Sequence, residues 1–161
     1  MPMRRTIAVL PALALAAAAV AASAVYAGDL ALIASDGDGR VLFARPIEIG
    51  DSFAIMFIHS VARTPVEEIF CVTAPDEFTL RETVYRDFGA GLPHEESAGR
   101  RMEFGNGVIR LTGYDVKFAE LRLRVGYIAE HAIVFKDGTA ARLADYQRRG
   151  GEVRLSVGKT D

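Results

Sequence analysis

The chemically crowded part of the chain is His59-Ser60-Val61-Ala62-Arg63-Thr64-Pro65-Val66-Glu67-Glu68, which follows an apolar run directly. An imidazole, two hydroxyls, a guanidinium and two carboxylates fall within this one short stretch. His59 and Ser60 are adjacent, so on a strand they point to opposite faces and cannot form a nucleophile–base pair with each other. A serine hydrolase would need a partner from elsewhere, and the chain contains no G-x-S-x-G elbow. Glu67 and Glu68 split between faces in the same way. Pro65 removes a backbone donor, so Thr64-Pro65 marks a turn or a sheet edge. Recognition suits the segment better than catalysis. A guanidinium at Arg63 matches a carboxylate or phosphate bidentately, and His59 adds a pH-sensitive donor. The competing reading is a polar corner in which Arg63 pairs with Glu67 or Glu68 and Thr64 satisfies the backbone.

A second segment, Tyr85-Arg86-Asp87-Phe88-Gly89-Ala90-Gly91-Leu92-Pro93, also breaks the regular pattern. Its glycines permit positive φ and expose backbone N–H groups, a concavity able to hold an anion. No Lys-Ser/Thr follows and the dinucleotide fingerprint is absent, so it is not a phosphate loop; a bulged loop is the plainer alternative. His94-Glu95-Glu96 then reads as an exposed acidic loop with Arg100-Arg101 as its counterweight. The candidate binding set is therefore His59, Ser60, Arg63, Thr64, Glu67 and Glu68, joined by Phe88, Gly89 and Gly91. The two segments are expected to meet at one end of the fold as a single recognition surface. No catalytic residue is assigned.

No metal or cofactor is expected. His59, His94 and His131 are isolated from one another, without H-x-H or H-E-x-x-H spacing. Asp36-Gly37-Asp38-Gly39 begins like a calcium loop, but Arg40 stands where a ligand belongs and no closing Glu follows. That segment is a hairpin turn. Cys71 is the single cysteine, which excludes an internal disulfide and a cysteine cluster. In Ile69-Phe70-Cys71-Val72 it reads as a buried, inert thiol.

The elements that must position these residues are strands. Leu30–Ala34 and Val41–Ala44 flank the Asp-Gly turn as a hairpin. Phe53–Ile58 is short and wholly apolar, as for a strand covered on both faces. Glu120–Val125 and Glu152–Val157 alternate, placing Leu121, Leu123, Val125, Val153, Leu155 and Val157 inward and Arg122, Arg124 and Arg154 outward. Phe78–Tyr85, Val108–Thr112 and Ala132–Phe135 are further strands, with Lys136–Thr139 as a tight turn. Only Arg142–Arg149 can make a helical turn, ended by Gly150-Gly151. About nine short strands with regular turn signals predict an all-β, single-domain antiparallel β-sandwich or flattened barrel.

The chain has 161 residues, half of them apolar and a quarter charged, with 15 glycines and no tryptophan. One domain's worth of globular material is implied. Arg4-Arg5, the apolar run Thr6–Ala24 and Val25-Tyr26-Ala27 form a tripartite export signal, with cleavage expected near Ala27. The alternative is an uncleaved anchor, the one route by which the chain would touch a membrane. Residues 28–161 are then the domain, located in the periplasm or secreted. Losing residues 1–27 removes two arginines and no acid, so the formal charge moves from −2 to −4. That balance does not suit a nucleic-acid partner.

The segments from His59 to Glu68 and from Phe88 to Pro93 are similar to the paired signatures of a small exported bacterial family. It is known only as a domain of unknown function, number eighteen-fifty in that series. The resemblance runs from about Val41 to Val157. Members are often encoded beside TRAP-type solute transporters of the TAXI class, and the family carries no established activity. The resemblance implies a setting: a non-catalytic periplasmic accessory or binding protein of a TAXI-type TRAP transporter. Its contact would be a transporter subunit, the solute-binding protein or a small anionic solute. Two other classes stand beside this expectation. One is a small hydrolase or isomerase using His59 and Glu67 or Glu68; the other is a structural β-domain of the envelope.

Overall fold

Alternating sequence and Gly-rich turns produce two open antiparallel sheets in the computed structural model, which describes residues 30–86 and 99–160. The smaller sheet contains β1 (Leu30–Asp36), β2 (Val41–Pro46), β8 (Glu120–Arg124) and β11 (Glu152–Lys159), in the order β2-β1-β11-β8. The larger contains β3 (Ser52–Ile58), β4 (Pro65–Ala74), β5 (Glu77–Tyr85), β6 (Arg101–Gly105), β7 (Val108–Phe118), β9 (Ala132–Phe135) and β10 (Ala140–Arg142). Its order is β10-β9-β3-β4-β5-β7-β6. The fold is the expected sandwich, and the flattened barrel falls away because neither sheet closes. Eleven strands are described rather than about nine. β6 occupies what read as a basic counterweight to an acidic loop, and the three-residue β10 is too short to leave a period. The helical turn expected over Arg142–Arg149 shrinks to one 3-10 turn, Leu143–Asp145. The leader and the Phe88–Pro93 segment lie outside the described residues.

Alternation on β11 works as expected: Val153, Leu155 and Val157 are buried and their neighbours face outward. On β8, at the sheet's edge, Leu121 and Leu123 are only half-buried although they pack on the same core. Opposite them the larger sheet contributes Phe53, Ile55, Phe70, Val72, Phe78 and Ile133. Phe53, Phe70, Phe78 and Phe118 pack ring on ring, with centroids 5.3–5.9 Å apart. β3 is not covered on both faces throughout. Phe53, Ala54 and Ile55 are buried, but Met56 is 38% exposed, because its outward side meets solvent near the strand's end. Cys71 is half-buried rather than buried, since it lies on the outward face of β4 with Ile69 and Thr73.

A second apolar cluster, Val66, Tyr85, Ile109 and Leu111, sits farther along β4, β5 and β7, and Phe57 packs against both clusters. On β4 the inward residues run Val66, Glu68, Phe70, Val72 by strand period. Glu68 therefore lies at the seam between the two clusters.

Candidate functional site

β3 and β4 are joined by the turn that carries most of the candidate residues. The ladder ends at Ile58 opposite Pro65, and the next pair closes the loop: the His59 N–H donates to the Thr64 carbonyl at 2.9 Å. The Arg63 N–H donates back to the His59 carbonyl at 2.9 Å. His59 Nδ1 accepts from the Ala62 N–H at 3.1 Å, so the imidazole braces the turn from inside. His59 and Ser60 thus sit in a turn rather than on a strand, and Ser60 is exposed. Arg63 closes the turn in the left-handed region, at φ 57°, a conformation that glycine or asparagine adopts more cheaply. Its side chain is exposed, and among the described residues it pairs with neither Glu67 nor Glu68.

The two glutamates part company as adjacent strand residues must. Glu67 faces outward, opposite Met56 and Val84. Glu68 faces inward, opposite Ile55 on one side and Thr83 on the other. Burial among these neighbours raises the Glu68 carboxyl above its ordinary pKa. His131 enters the same inner region from the segment before β9, with its ring 5.5 Å from that of Phe57. Burial lowers its pKa, and Nδ1 is fully enclosed without a hydrogen-bond partner. The Thr64 hydroxyl oxygen is enclosed in the same way. Thr64, Glu68 and His131 are thus each turned away from solvent, while Ser60 and Arg63 are presented outside the turn. Glu68 and His131 are both pushed toward neutrality by desolvation alone, so neither is primed by a partner for acid–base work.

Sequence spacing did not single out the connection between β8 and β9, which is held against the same turn. The Ile58 N–H donates to the Ala129 carbonyl at 2.7 Å, one residue out of the β3–β9 register, and so ties the turn of residues 127–129 to the end of β3. This connection displays Tyr127, 73% exposed, beside Ile128. The available signal was an aromatic and an isoleucine between two strands with no core left for them to face. At the opposite end of β3 lies a small cleft of about 70 Å³ lined by Arg45, Asp51, Phe135 and Lys136, among others. Its charges are matched internally. Arg45 binds Asp137 and Thr139, at 3.2 and 2.9 Å, and Lys136 binds Asp51 at 2.7 Å. Arg45 also covers the Phe135 ring at 4.7 Å, so this group clasps the two sheets together. Among the described residues no three His, Cys, Asp or Glu side chains converge as a metal centre would require.

No curated protein and no solved structure matches the chain. The profile described as Domain of unknown function (DUF1850) matches residues 53–141, from the first buried aromatic of β3 through the turn and both glutamates to β10. That match spans more than half of the sequence, and the chain belongs to the DUF1850 family.

Proposed function

We propose that the protein is a non-catalytic accessory of a TAXI-type TRAP solute transporter, exported to the periplasm and acting through contacts made by its β3–β4 turn. The observation that carries this reading is Arg63. An arginine held at φ 57° costs folding free energy that glycine would not, and backbone strain of this kind persists where a side chain is needed in place. Its guanidinium is exposed, and no carboxylate among the described residues neutralises it, although two glutamates stand on the next strand. A structural arginine would be expected to turn toward them. Catalysis is not favoured, because His59 Nδ1 braces the turn and the two glutamates leave opposite faces of β4.

The test is co-purification of the full chain with the subunits of a TAXI-type TRAP transporter, wild type against Arg63→Gly. Glycine relieves the left-handed strain, so the variant should melt at the wild-type temperature or slightly above. Retention of the transporter subunit should fall at least tenfold. Unchanged retention, or a variant that melts early, would overturn the reading.

A further inference from the structure

The β3–β4 turn is one half of a larger exposed surface. The other half is the β8–β9 connection, tied to it through the Ile58–Ala129 hydrogen bond of 2.7 Å. The β3–β9 ladder ends at Met56 opposite Ala132, and the bond from Ile58 to Ala129 then holds the turn of residues 127–129, with Tyr127 and Ile128, against the start of the β3–β4 turn. Val61 is 66% exposed there, Tyr127 73% and Ile128 38%, three large apolar side chains on two neighbouring loops. Solitary exposed apolar residues need no explanation, but a contiguous group at one end of a domain marks an interaction site. Arg149 fixes the aromatic member. Its guanidinium donates to the Tyr127 carbonyl at 2.6 Å and lies 5.8 Å from the ring centroid. Three non-glycine residues in the described chain have positive φ. Asn106 is in a two-residue hairpin where asparagine is expected, while the other two, Arg63 and Glu130, flank this surface.

We infer that this end of the sandwich is a protein-docking surface whose partner presents an apolar pocket for Tyr127 rimmed by carboxylates for Arg63 and Arg149. Tyrosine and arginine are the residues that concentrate binding energy at protein interfaces, and a ring already held by its neighbour loses little freedom on docking. The pattern of charge selects a protein over an anionic bilayer. Glu130 is exposed within the same connection and Glu67 lies on the nearby outward face, so a uniformly negative surface would be repelled where a mixed one can match. Leu30, the first described residue, lies beside Ile47 at the other end of β3 from this surface.

The inference rests on the accessory reading for the identity of its probe, and the variants separate the two. Binding of the full chain to purified TAXI-type TRAP subunits is measured for wild type, Arg63→Gly, Tyr127→Ser, Tyr127→Phe and Arg149→Glu. A control, Val116→Ser, alters an exposed residue of β7 outside the surface. Tyr127→Ser and Arg149→Glu should each weaken binding at least tenfold at unchanged melting temperature. Tyr127→Phe should retain most of the affinity, the control should match wild type, and rising salt should shrink the Arg149 effect. Loss with Arg63→Gly but full binding by Tyr127→Ser and Arg149→Glu overturns this surface and leaves the accessory reading standing. Absence of wild-type binding overturns both. Wild-type capture by phosphatidylglycerol vesicles that Tyr127→Ser abolishes, without transporter binding, overturns the protein partner in favour of lipid.

Discussion

Glu68 shows how much one inward-facing carboxyl can set at the residue scale. It is flanked by Ile55 and Thr83, lies between Val66 and Phe70, and has no ion partner among the described residues. Its pKa is raised in the folded state by burial, so folding favours its protonated form. The stability this contributes is complete below the unfolded value near 4.5 and is lost as pH rises through the higher folded value. Glu68→Gln should therefore match wild type near pH 4 and melt higher at pH 7, with the gap opening across the interval between. Thermal melts at several pH values check this, and a gap that is constant with pH would place the carboxyl in water. His131 acts with the opposite sign over its own range. Burial lowers its pKa, so stability falls as pH drops below about 6.5, where the unfolded imidazole takes up a proton and the buried one resists. Alternation alone told that Glu67 and Glu68 take opposite faces. It could not tell which faced inward, because that depends on which neighbours in space are apolar.

At the scale of elements, position in the sheet decides what a shared pattern is worth. β8 and β11 carry the same alternation, yet β11 lies between β1 and β8 while β8 is an edge. Leu155 is fully buried and Leu123 half-buried, so truncation should separate them. Leu155→Ala is expected to cost about 2–5 kcal/mol, Leu123→Ala less, and Arg122→Ala within about 0.5 kcal/mol. Chemical denaturation with one common slope measures all three. Equal costs for Leu155 and Leu123 would mean that the edge strand is covered in solution. The pattern was legible because strand period is a local property. Edge and centre were not, because strand order depends on pairings between residues far apart in sequence, such as Leu30 with Lys159. β6 shows the converse case. Its pairing with β7 turns on Asn106-Gly107, with Asn106 at φ 53°, a strong hairpin signal between the alternating runs Arg101–Gly105 and Val108–Thr112.

At the scale of the whole molecule, the two sheets share one core. Leu32, Ala34, Val153 and Leu155 from the smaller sheet pack with Phe53, Ile55, Phe70 and Phe78 from the larger. A clasp at one end, Arg45 to Asp137 and Thr139, joins β2 to the turn between β9 and β10. Neither sheet can keep its inward face dry alone, so the chain should unfold in one transition. Far-ultraviolet circular dichroism and tyrosine fluorescence are expected to give coincident melting curves, with a spectrum holding under about 15% helix, far below the usual third. Two separated transitions would show that the sheets are independently stable.

Sequence alone left sandwich and flattened barrel both open, but determined the all-β antiparallel class, the inward residues of β11 and the polar turn that follows the apolar strand. Each of these follows from period-two alternation, turn chemistry and short-range sterics, which need no knowledge of distant neighbours. Tertiary structure alone decided that Arg63 pairs with no carboxylate among the described residues, that Glu68 turns toward the seam, and that the β8–β9 connection is tied to the end of β3. The last depends on β9 lying next to β3, which brings residues some seventy positions apart to one hydrogen bond between Ile58 and Ala129. Long-range strand pairing of this kind is chosen by burial of the whole core, and no local run of residues encodes it.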